Sequence, residues 1–183
     1  MNSIEQIIPI TDAEEYLIKV ANKKQEEIKT KEQKQTIVTV RKEFWAQLLE
    51  AMNRKSHLFS NVNPTKDNWL GCGSGHSGIS YQFVVTGSYV RVELWIIGRS
   101  QAENKKIFDK LYEQKNKIEE KFEGQLGWQR LDEGKESRVS YSLYDVGISN
   151  KEDWEEMISF AVSYMIKLEQ AIKKELQSVM RSL

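Results

Sequence analysis

The clearest pattern in the chain lies between Val90 and Ile97, where apolar and polar positions alternate. The even-numbered positions are all apolar, whereas the odd-numbered positions include Arg91, Glu93 and Trp95. A period of two residues is typical of a strand that has one face in the core and the other face outside it. We therefore expect a central strand whose odd-numbered side chains point away from the core.

A capped amphipathic helix and a second strand are predicted to follow. Ser100 and Glu103 have the spacing of a capping box, and apolar residues then recur at helical intervals as far as Phe122. Gly124 favours termination of the helix. The stretch from Leu126 to Leu131 is predicted to be a strand in which Trp128 and Arg130 point the same way. This unit of strand, helix and strand organises the rest of the chain.

The remaining pattern predicts further helices and antiparallel hairpins. Bulky apolar residues from Val40 to Asn53 indicate a core helix, and alternation from Ile79 to Val85 indicates a strand that pairs with the central one through Gly87-Ser88. Alternation from Arg138 to Asp145 gives a second hairpin, and Ser149 with Glu152 is expected to cap a long C-terminal helix. The sequence predicts an α+β fold, with an antiparallel sheet of four or five strands and helices on one face.

The N-terminal segment differs from this domain because its apolar stripe is thin and residues 29–35 are almost wholly polar. We expect an N-terminal helical arm over residues 1–35, joined by a linker or an exposed helical turn to a single domain over residues 36–183. A continuous helix through to Asn53 is the alternative, which the β-branched run from Thr36 to Val40 disfavours. The first and last helices could also mediate a homodimer, since long amphipathic stripes often find a partner.

Composition narrows the class of protein. Twenty-seven basic residues balance 27 acidic residues, so no overall field draws the chain to nucleic acid or to an anionic membrane, and any such binding requires a local patch. The single cysteine, Cys72, fits a reducing compartment. No apolar run approaches the length of a membrane helix, and no signal peptide is recognisable, so we expect a cytoplasmic protein without membrane contact.

Several short motifs occur in a characteristic order. They are Phe44-Trp45, Trp69, Gly73-Ser74-Gly75, Arg91-Val92-Glu93-Leu94, Asn104-Lys105, Lys117-Ile118-Glu119, Trp128 with Arg130, Arg138 and Asp153-Trp154. From about Thr36 to Glu175 the chain resembles the bacterial and archaeal family catalogued as domain of unknown function 4268. Members of that family often follow a restriction-like nuclease domain of the PD-(D/E)xK type. The resemblance implies an accessory role in nucleic-acid processing or phage defence, with a nuclease as a partner, and it assigns no catalytic residue.

The outward face of the predicted sheet is the main candidate site. Aromatic rings beside guanidinium groups are what single-stranded nucleic acid requires, because rings stack on bases and Arg contacts phosphate. The candidate ligand-binding residues are Arg91, Glu93, Trp95, Trp128, Arg130, Arg138 and the glycine loop residues Gly73, Ser74 and Gly75. In the alternative interpretation the arm, a partner or a second subunit covers this face. The glycine loop leads into a strand, so a hairpin connection is favoured over a phosphate cradle.

Two further interpretations concern catalysis. Cys72 and His76 could form a nucleophile pair or part of a zinc site, but one cysteine and two histidines make a poor ligand set. Glu93 lies on a strand as a nuclease carboxylate does, yet Trp95 stands where a lysine is needed. The sequence therefore predicts a non-catalytic binding module without a cofactor or metal. A protein-protein interaction or dimerisation domain is the alternative, and a divergent nuclease or metal-dependent enzyme is the third hypothesis.

Overall fold

The computed structural model describes residues 12–183 of the chain, and side chains from Val20 onward. Its contacts divide the chain into two compact units, Met1–Val38 and Thr39–Leu183. The first eleven residues of the predicted arm lie outside the described residues. In the described part of the first unit the backbone is helical throughout, and every side chain from Val20 to Thr36 is exposed.

Helix α1 spans Asp12–Asn53 without a break. A linker near Lys29 to Gln35 is therefore wrong. The stretch is exposed and helical, and it belongs to the continuous helix through to Asn53 that was the alternative prediction. Lysine, glutamate and glutamine have high intrinsic helix propensity, and the five β-branched residues from Thr36 to Val40 do not outweigh that preference. Thr30 and Thr36 each donate a side-chain hydrogen bond to the carbonyl oxygen four residues earlier, at 2.8 and 2.9 Å, which suits them to a helical backbone.

The second unit is built on a five-stranded antiparallel sheet with the spatial order β1-β2-β3-β5-β4. The strands are β1 (Trp69–Gly73), β2 (Ile79–Val85), β3 (Tyr89–Ile96), β4 (Gly127–Gln129) and β5 (Ser137–Tyr144). The predicted α+β fold, with its antiparallel sheet and its long C-terminal helix, is confirmed. Both predicted hairpins are present, and β3 pairs with β5 to join them.

The helix predicted between β3 and β4 is in fact two helices, α2 (Gln101–Tyr112) and α3 (Lys115–Phe122). The Ser100 side chain accepts a hydrogen bond from the Glu103 amide at 3.2 Å, as the capping box predicts. Glu123, and not Gly124, has the left-handed conformation that ends α3. Its backbone amide donates to the Glu120 carbonyl oxygen at 3.2 Å, so the chain turns one residue earlier than predicted.

The final helix α4 (Trp154–Arg181) follows a short 3-10 turn over Lys151–Asp153. Asn150, rather than Ser149, provides the side-chain cap of this turn. Val179 in the last turns is 6% exposed, and Lys110 of α2 donates to Ser182 at 3.2 Å. The last turns therefore pack against the domain. None of the helices described is long and apolar enough to cross a membrane.

One face of the sheet forms the core. The even-numbered side chains of β3 are fully buried there, together with Phe83 of β2 and Val139 of β5. Helix α4 crosses β2, β3 and β5 on this side, and α2 and α3 pack beside it. We call this side of the sheet the helical face.

Candidate ligand-binding face

The opposite side of the sheet, which we call the open face, has no helix of the unit Thr39–Leu183 packed against it. The strand register determines which residues share this face. Arg91 of β3 pairs with Val84 of β2, and Trp95 pairs with Ser80. On the other side of β3, Trp95 pairs with Arg138 of β5. Side chains of paired residues point to the same face of a sheet, so these residues form one surface.

An open depression of about 660 Å³ lies on this face. Trp69, at the edge strand β1, is 47% exposed, and Trp95 is half-buried. Four residues along β3 and two strand spacings separate the two backbone positions, which places them roughly 16 Å apart. The residues of the depression whose side chains can bond to or stack on a ligand are Asn68, Trp69, His76, Ser80, Gln82, Arg91, Glu93, Trp95 and Arg138.

Arg91 and Glu93 form an ion pair inside the depression. The Arg91 Nε atom lies 2.6 Å from Glu93 Oε2, and the two side chains are 14% and 2% exposed. The guanidinium group also lies 5.2 Å from the centre of the Tyr89 ring and donates to its hydroxyl group at 3.3 Å. Burial raises the pKa of Glu93 above its ordinary value, although the charge and hydrogen bond of Arg91 act in the opposite direction.

Arg138 is the other guanidinium group of the open face. It donates a hydrogen bond to the side-chain oxygen of Gln129 on β4. Among the side chains that the structure describes, from Val20 to Leu183, it has no ion pair with a carboxylate. Its charge contributes to lowering the pKa of Glu93 across the face, but less than Arg91 does. The neutral amide of Gln129 does not offset the charge of Arg138, so Arg138 adds an unneutralised positive charge to the open face.

Trp128 does not lie on the open face, so its predicted location is wrong. It pairs with Val139, whose side chain is fully buried on the helical face. Its ring contacts the rings of Phe108 and Tyr112 at 6.0 and 5.5 Å between centres. The indole N–H donates to Glu119 of α3 at 3.0 Å. Trp128 therefore joins β4 to the helices.

Arg130 also lies away from the open face. Its Nε and Nη2 atoms bond to the two carboxylate oxygens of Asp109 on α2 at 2.8 and 3.0 Å, and Nη1 bonds to Asp132. These bonds raise the pKa of Arg130 and lower that of Asp109. On β4 the open-face residue is Gln129. A strand of three residues is too short to reveal which alternate positions face outward, and an error of one residue reverses every side chain.

The glycine loop joins β1 to β2, as its interpretation as a hairpin connection predicts. Ser74 donates both its backbone N–H and its hydroxyl to the Ile79 carbonyl oxygen, at 3.1 and 2.9 Å. Its hydroxyl oxygen accepts from the His76 amide at 3.3 Å. Gly73 reaches the depression, whereas Gly75 is exposed with a positive φ of 90°. The polar groups of Ser74 are thus used within the turn.

Cys72 and His76 do not form a pair. Cys72 is paired with Tyr81, whose side chain is buried on the helical face, whereas His76 lines the depression of the open face. Burial raises the pKa of the Cys72 thiol to about 12. The thiolate is therefore scarce near neutral pH. Within the part of the chain that the structure describes, no three His, Cys, Asp or Glu side chains are grouped as a metal site requires.

Sequence reasoning missed the most exposed aromatic residue of this surface. Trp69 was recognised only as part of a motif, because the five residues of β1 include three that do not show apolar alternation, Gly71, Cys72 and Gly73. The structure also places Gln82 on the open face, beside Glu93. His76 has no periodic signal, since it belongs to a turn.

The fold and this surface define a class: an α+β domain whose antiparallel sheet is covered by helices on one face and carries a polar and aromatic depression on the other. Residues 40–176 match the family model described as domain of unknown function (DUF4268), and the chain belongs to this family. No curated protein and no solved structure shows significant similarity to the chain.

Proposed function

We propose that this domain is a non-catalytic binding module whose open face binds single-stranded nucleic acid, in an accessory role in nucleic-acid processing. The observation that carries the proposal is that two accessible indoles, Trp69 and Trp95, share the open face with two guanidinium groups, Arg91 and Arg138. Their separation of roughly 16 Å exceeds the spacing of stacked neighbouring bases, so each ring would stack on a different, non-adjacent base.

The charges of the open face fit a weak and salt-sensitive interaction. Arg138 has no carboxylate partner among the described residues, and it is available to phosphate. Arg91 is already paired with Glu93, so its contribution to phosphate binding is smaller. With the chain neutral overall, affinity depends on stacking and on this local charge.

Fluorescence anisotropy with a labelled 20-nucleotide oligothymidylate at low salt tests the proposal. We expect Trp69→Ala or Trp95→Ala to weaken binding by about tenfold each, because loss of one stacked base costs about that much. Arg138→Ala should weaken binding and reduce its dependence on salt.

Arg130→Ala is the matched control, since it removes the same charge from the other side of the sheet. Its effect on oligonucleotide affinity should be less than twofold. Absence of binding by the native protein at 20 mM salt would exclude the proposal. An equal loss with Arg130→Ala and Arg138→Ala would indicate non-specific attraction in place of a defined face.

A nuclease as the functional partner is part of the same proposal, and it rests on the resemblance described above. The expected outcome is that the purified domain alone leaves a labelled single strand intact in the presence of Mg²⁺. It should raise cleavage only when a nuclease from a neighbouring reading frame is added. Cleavage by the domain alone, abolished by Glu93→Gln, would replace this function with the third hypothesis, a divergent nuclease.

Self-association is a second candidate function, favoured by the first unit. Val20 and Ile28 of α1 are each 46% exposed, on a helix whose other described side chains before residue 37 are polar, small or exposed. We propose that these apolar positions contact a second copy or another helix. Sedimentation velocity across a hundredfold range of concentration tests this candidate, and a Val20→Lys/Ile28→Lys double variant should shift any dimer to monomer.

A further inference from the structure

The outer edge of β5 is only partly covered. Strand β5 has eight residues, but β4 pairs with three of them, Arg138 to Ser140. On this outer side, Tyr141 to Tyr144 have no strand paired with them among the described residues. We call this segment the free edge. An unpaired edge presents backbone N–H and C=O groups that an extended chain can bond to.

The hydrogen-bond pattern identifies which backbone groups point outward. The Thr86 amide donates to the Tyr89 carbonyl oxygen at 3.0 Å, and the Ile97 amide donates to that of Gly78 at 2.7 Å. These bonds show that the backbone N–H and C=O groups of the odd-numbered residues in β3 point toward β2. Bonding directions alternate along an antiparallel strand, so the even-numbered residues of β3 bond to β5.

The same alternation then applies to β5. Its odd-numbered residues pair with the even-numbered residues of β3, and the Asp145 amide, which donates to the Ser88 carbonyl oxygen at 3.0 Å, agrees with that direction. Ser142 and Tyr144 therefore direct their backbone N–H and C=O groups to the free edge. Two such residues can bond to an added strand of about four or five residues.

A groove of about 700 Å³ runs between the end of β5 and the first turns of α4. Leu143 lines it from the strand, and Phe160 and Tyr164 line it from the helix. These two rings lie 4.7 Å apart, and both also contact Tyr141. All three aromatic residues are half-buried rather than sealed in the core.

The rim of this groove is acidic. Glu152, Glu155 and Glu156 are exposed and line it, and no ion pair connects any of the three to another described residue. At the far end, Lys167 is bound to Glu123 at 2.6 Å, so that positive charge is already compensated. The ligand that complements an apolar floor and an acidic rim carries basic side chains with long aliphatic stems.

We propose that the free edge binds a basic, extended peptide segment of a partner protein, which adds to the sheet as a strand beyond the end of β4. Its backbone bonds to Ser142 and Tyr144. Alternate lysine or arginine side chains lie along the groove, with their stems on Phe160 and Tyr164 and their charges near Glu155 and Glu156. Backbone pairing supplies affinity and the alternate side chains supply specificity, as in other cases of strand addition.

The probe is a fluorescein-labelled, acetylated nine-residue peptide that alternates lysine with threonine. We expect it to bind the native protein at low salt, and we expect the same peptide with glutamate in place of lysine not to bind. The double variant Glu155→Gln/Glu156→Gln should weaken binding by about fivefold, because exposed ion pairs contribute modestly. Glu133→Gln, an exposed carboxyl in the β4–β5 turn, is the matched control and should leave binding unchanged.

The strand geometry requires its own readout. Saturation with the peptide should slow hydrogen exchange of the Ser142 and Tyr144 amides by at least about tenfold relative to the free protein. Ser142→Pro removes one outward N–H at an edge where proline is tolerated, and it should abolish binding while circular dichroism shows an intact fold. A peptide with proline at every threonine position should not bind.

Three results would overturn the proposal. The first is no binding of the lysine peptide at millimolar concentration and low salt. The second is binding without protection of the two amides, which would assign the peptide to charge attraction alone. The third is concentration-dependent dimerisation that Ser142→Pro abolishes, which would assign the free edge to a second copy. None of these results bears on oligonucleotide binding by Trp69 and Trp95, so the two proposals can fail separately.

Discussion

The Arg91 guanidinium lies 2.6 Å from the Glu93 carboxylate on the open face, and the carboxylate is almost completely buried although no helix of its unit covers it. Neighbouring side chains on β2 and β5 enclose it. A buried ion pair costs desolvation free energy that its mutual attraction only partly offsets. The pair therefore orients Arg91 within the candidate site more than it stabilises the fold.

This arrangement predicts a pH-dependent contribution of Glu93 to stability. Because the folded-state pKa of Glu93 is raised, the folded protein holds this proton at pH values where the unfolded chain has released it. The contribution is fully present below the unfolded pKa and is lost as the pH rises through the folded pKa. We expect the free energy of unfolding of the native protein, minus that of Glu93→Gln, to fall between about pH 4 and about pH 7.

Urea denaturation at both pH values measures this difference. Glu133→Gln, which removes an exposed carboxyl group, is the matched control for the change in net charge. A difference that stays constant, or that grows with pH, would contradict the assignment of the pH dependence to Glu93.

Among the charged residues, we expect substitution of Lys105 to cost the most unfolding free energy. Its side chain is 6% exposed, and Nζ donates to the carbonyl oxygens of Arg130, Leu131 and Glu136 at 2.5, 2.7 and 2.5 Å. It thereby closes the turn between β4 and β5 from helix α2. Lys105→Met would leave buried carbonyl groups without a donor, and we expect a loss of about 3 kcal/mol in unfolding free energy.

Lys106→Met is the matched control, because Lys106 follows Lys105 on the same helix and its side chain is exposed. Thermal and urea denaturation should distinguish the two variants clearly. If both variants lose less than 1 kcal/mol, the hydrogen bonds of Lys105 do not hold this turn.

How well each element could be predicted from the sequence depended on how many residues its alternation covered. Strands β3 and β5 have eight residues each, and their alternation correctly predicts that Arg91, Glu93, Trp95 and Arg138 share one face. Strand β4 has three residues, so its facing could not be determined from alternation. The break between α2 and α3 was missed because the apolar stripe continues across it and no proline or glycine marks it.

The candidate site was predicted only in part, for a related reason. Arg91, Glu93, Trp95 and Arg138 belong to long strands, and the structure brings them together. Trp128 and Arg130 belong to β4 and its turn, where tertiary contacts with Glu119 and Asp109 decide their direction. Motif residues such as Asn104 and Lys105 gave no sign of their role, because each bonds to backbone carbonyl groups 25 to 31 residues away.

The Trp128 contact predicts a structural role that is separable from ligand binding. Trp128→Phe keeps the aromatic packing against Phe108 and Tyr112 but removes the N–H that bonds to Glu119. We expect a loss of about 1 kcal/mol in unfolding free energy and no change in oligonucleotide affinity. Trp69→Ala is the comparison variant and should give the reverse pattern, with little change in stability and about a tenfold loss of affinity. A loss of affinity with Trp128→Phe would return this residue to the ligand site.

Gly78 lies where the loop between β1 and β2 approaches the chain after β3 at Gly98. It has a positive φ of 75°, and a Cβ atom there would lie 2.3 Å from the Gly98 Cα. Gly75 also has a positive φ, of 90°, but its Cβ would meet no atom within 4 Å. Both alanine variants carry backbone strain, whereas only Gly78→Ala adds a clash with another segment.

We therefore expect Gly75→Ala to cost about 1 kcal/mol and Gly78→Ala to cost about 3 kcal/mol or more. The comparison separates backbone strain from steric clash. Both glycines have a positive φ, so both variants carry strain, but only at Gly78 does the added methyl group clash with another segment. Chemical denaturation of both variants provides the measurement. The Ile97 amide donates to the Gly78 carbonyl oxygen at 2.7 Å and holds the chain after β3 beside Gly78. Equal losses of stability in the two variants would contradict this, because they would mean that the chain after β3 moves away from the added methyl group without cost.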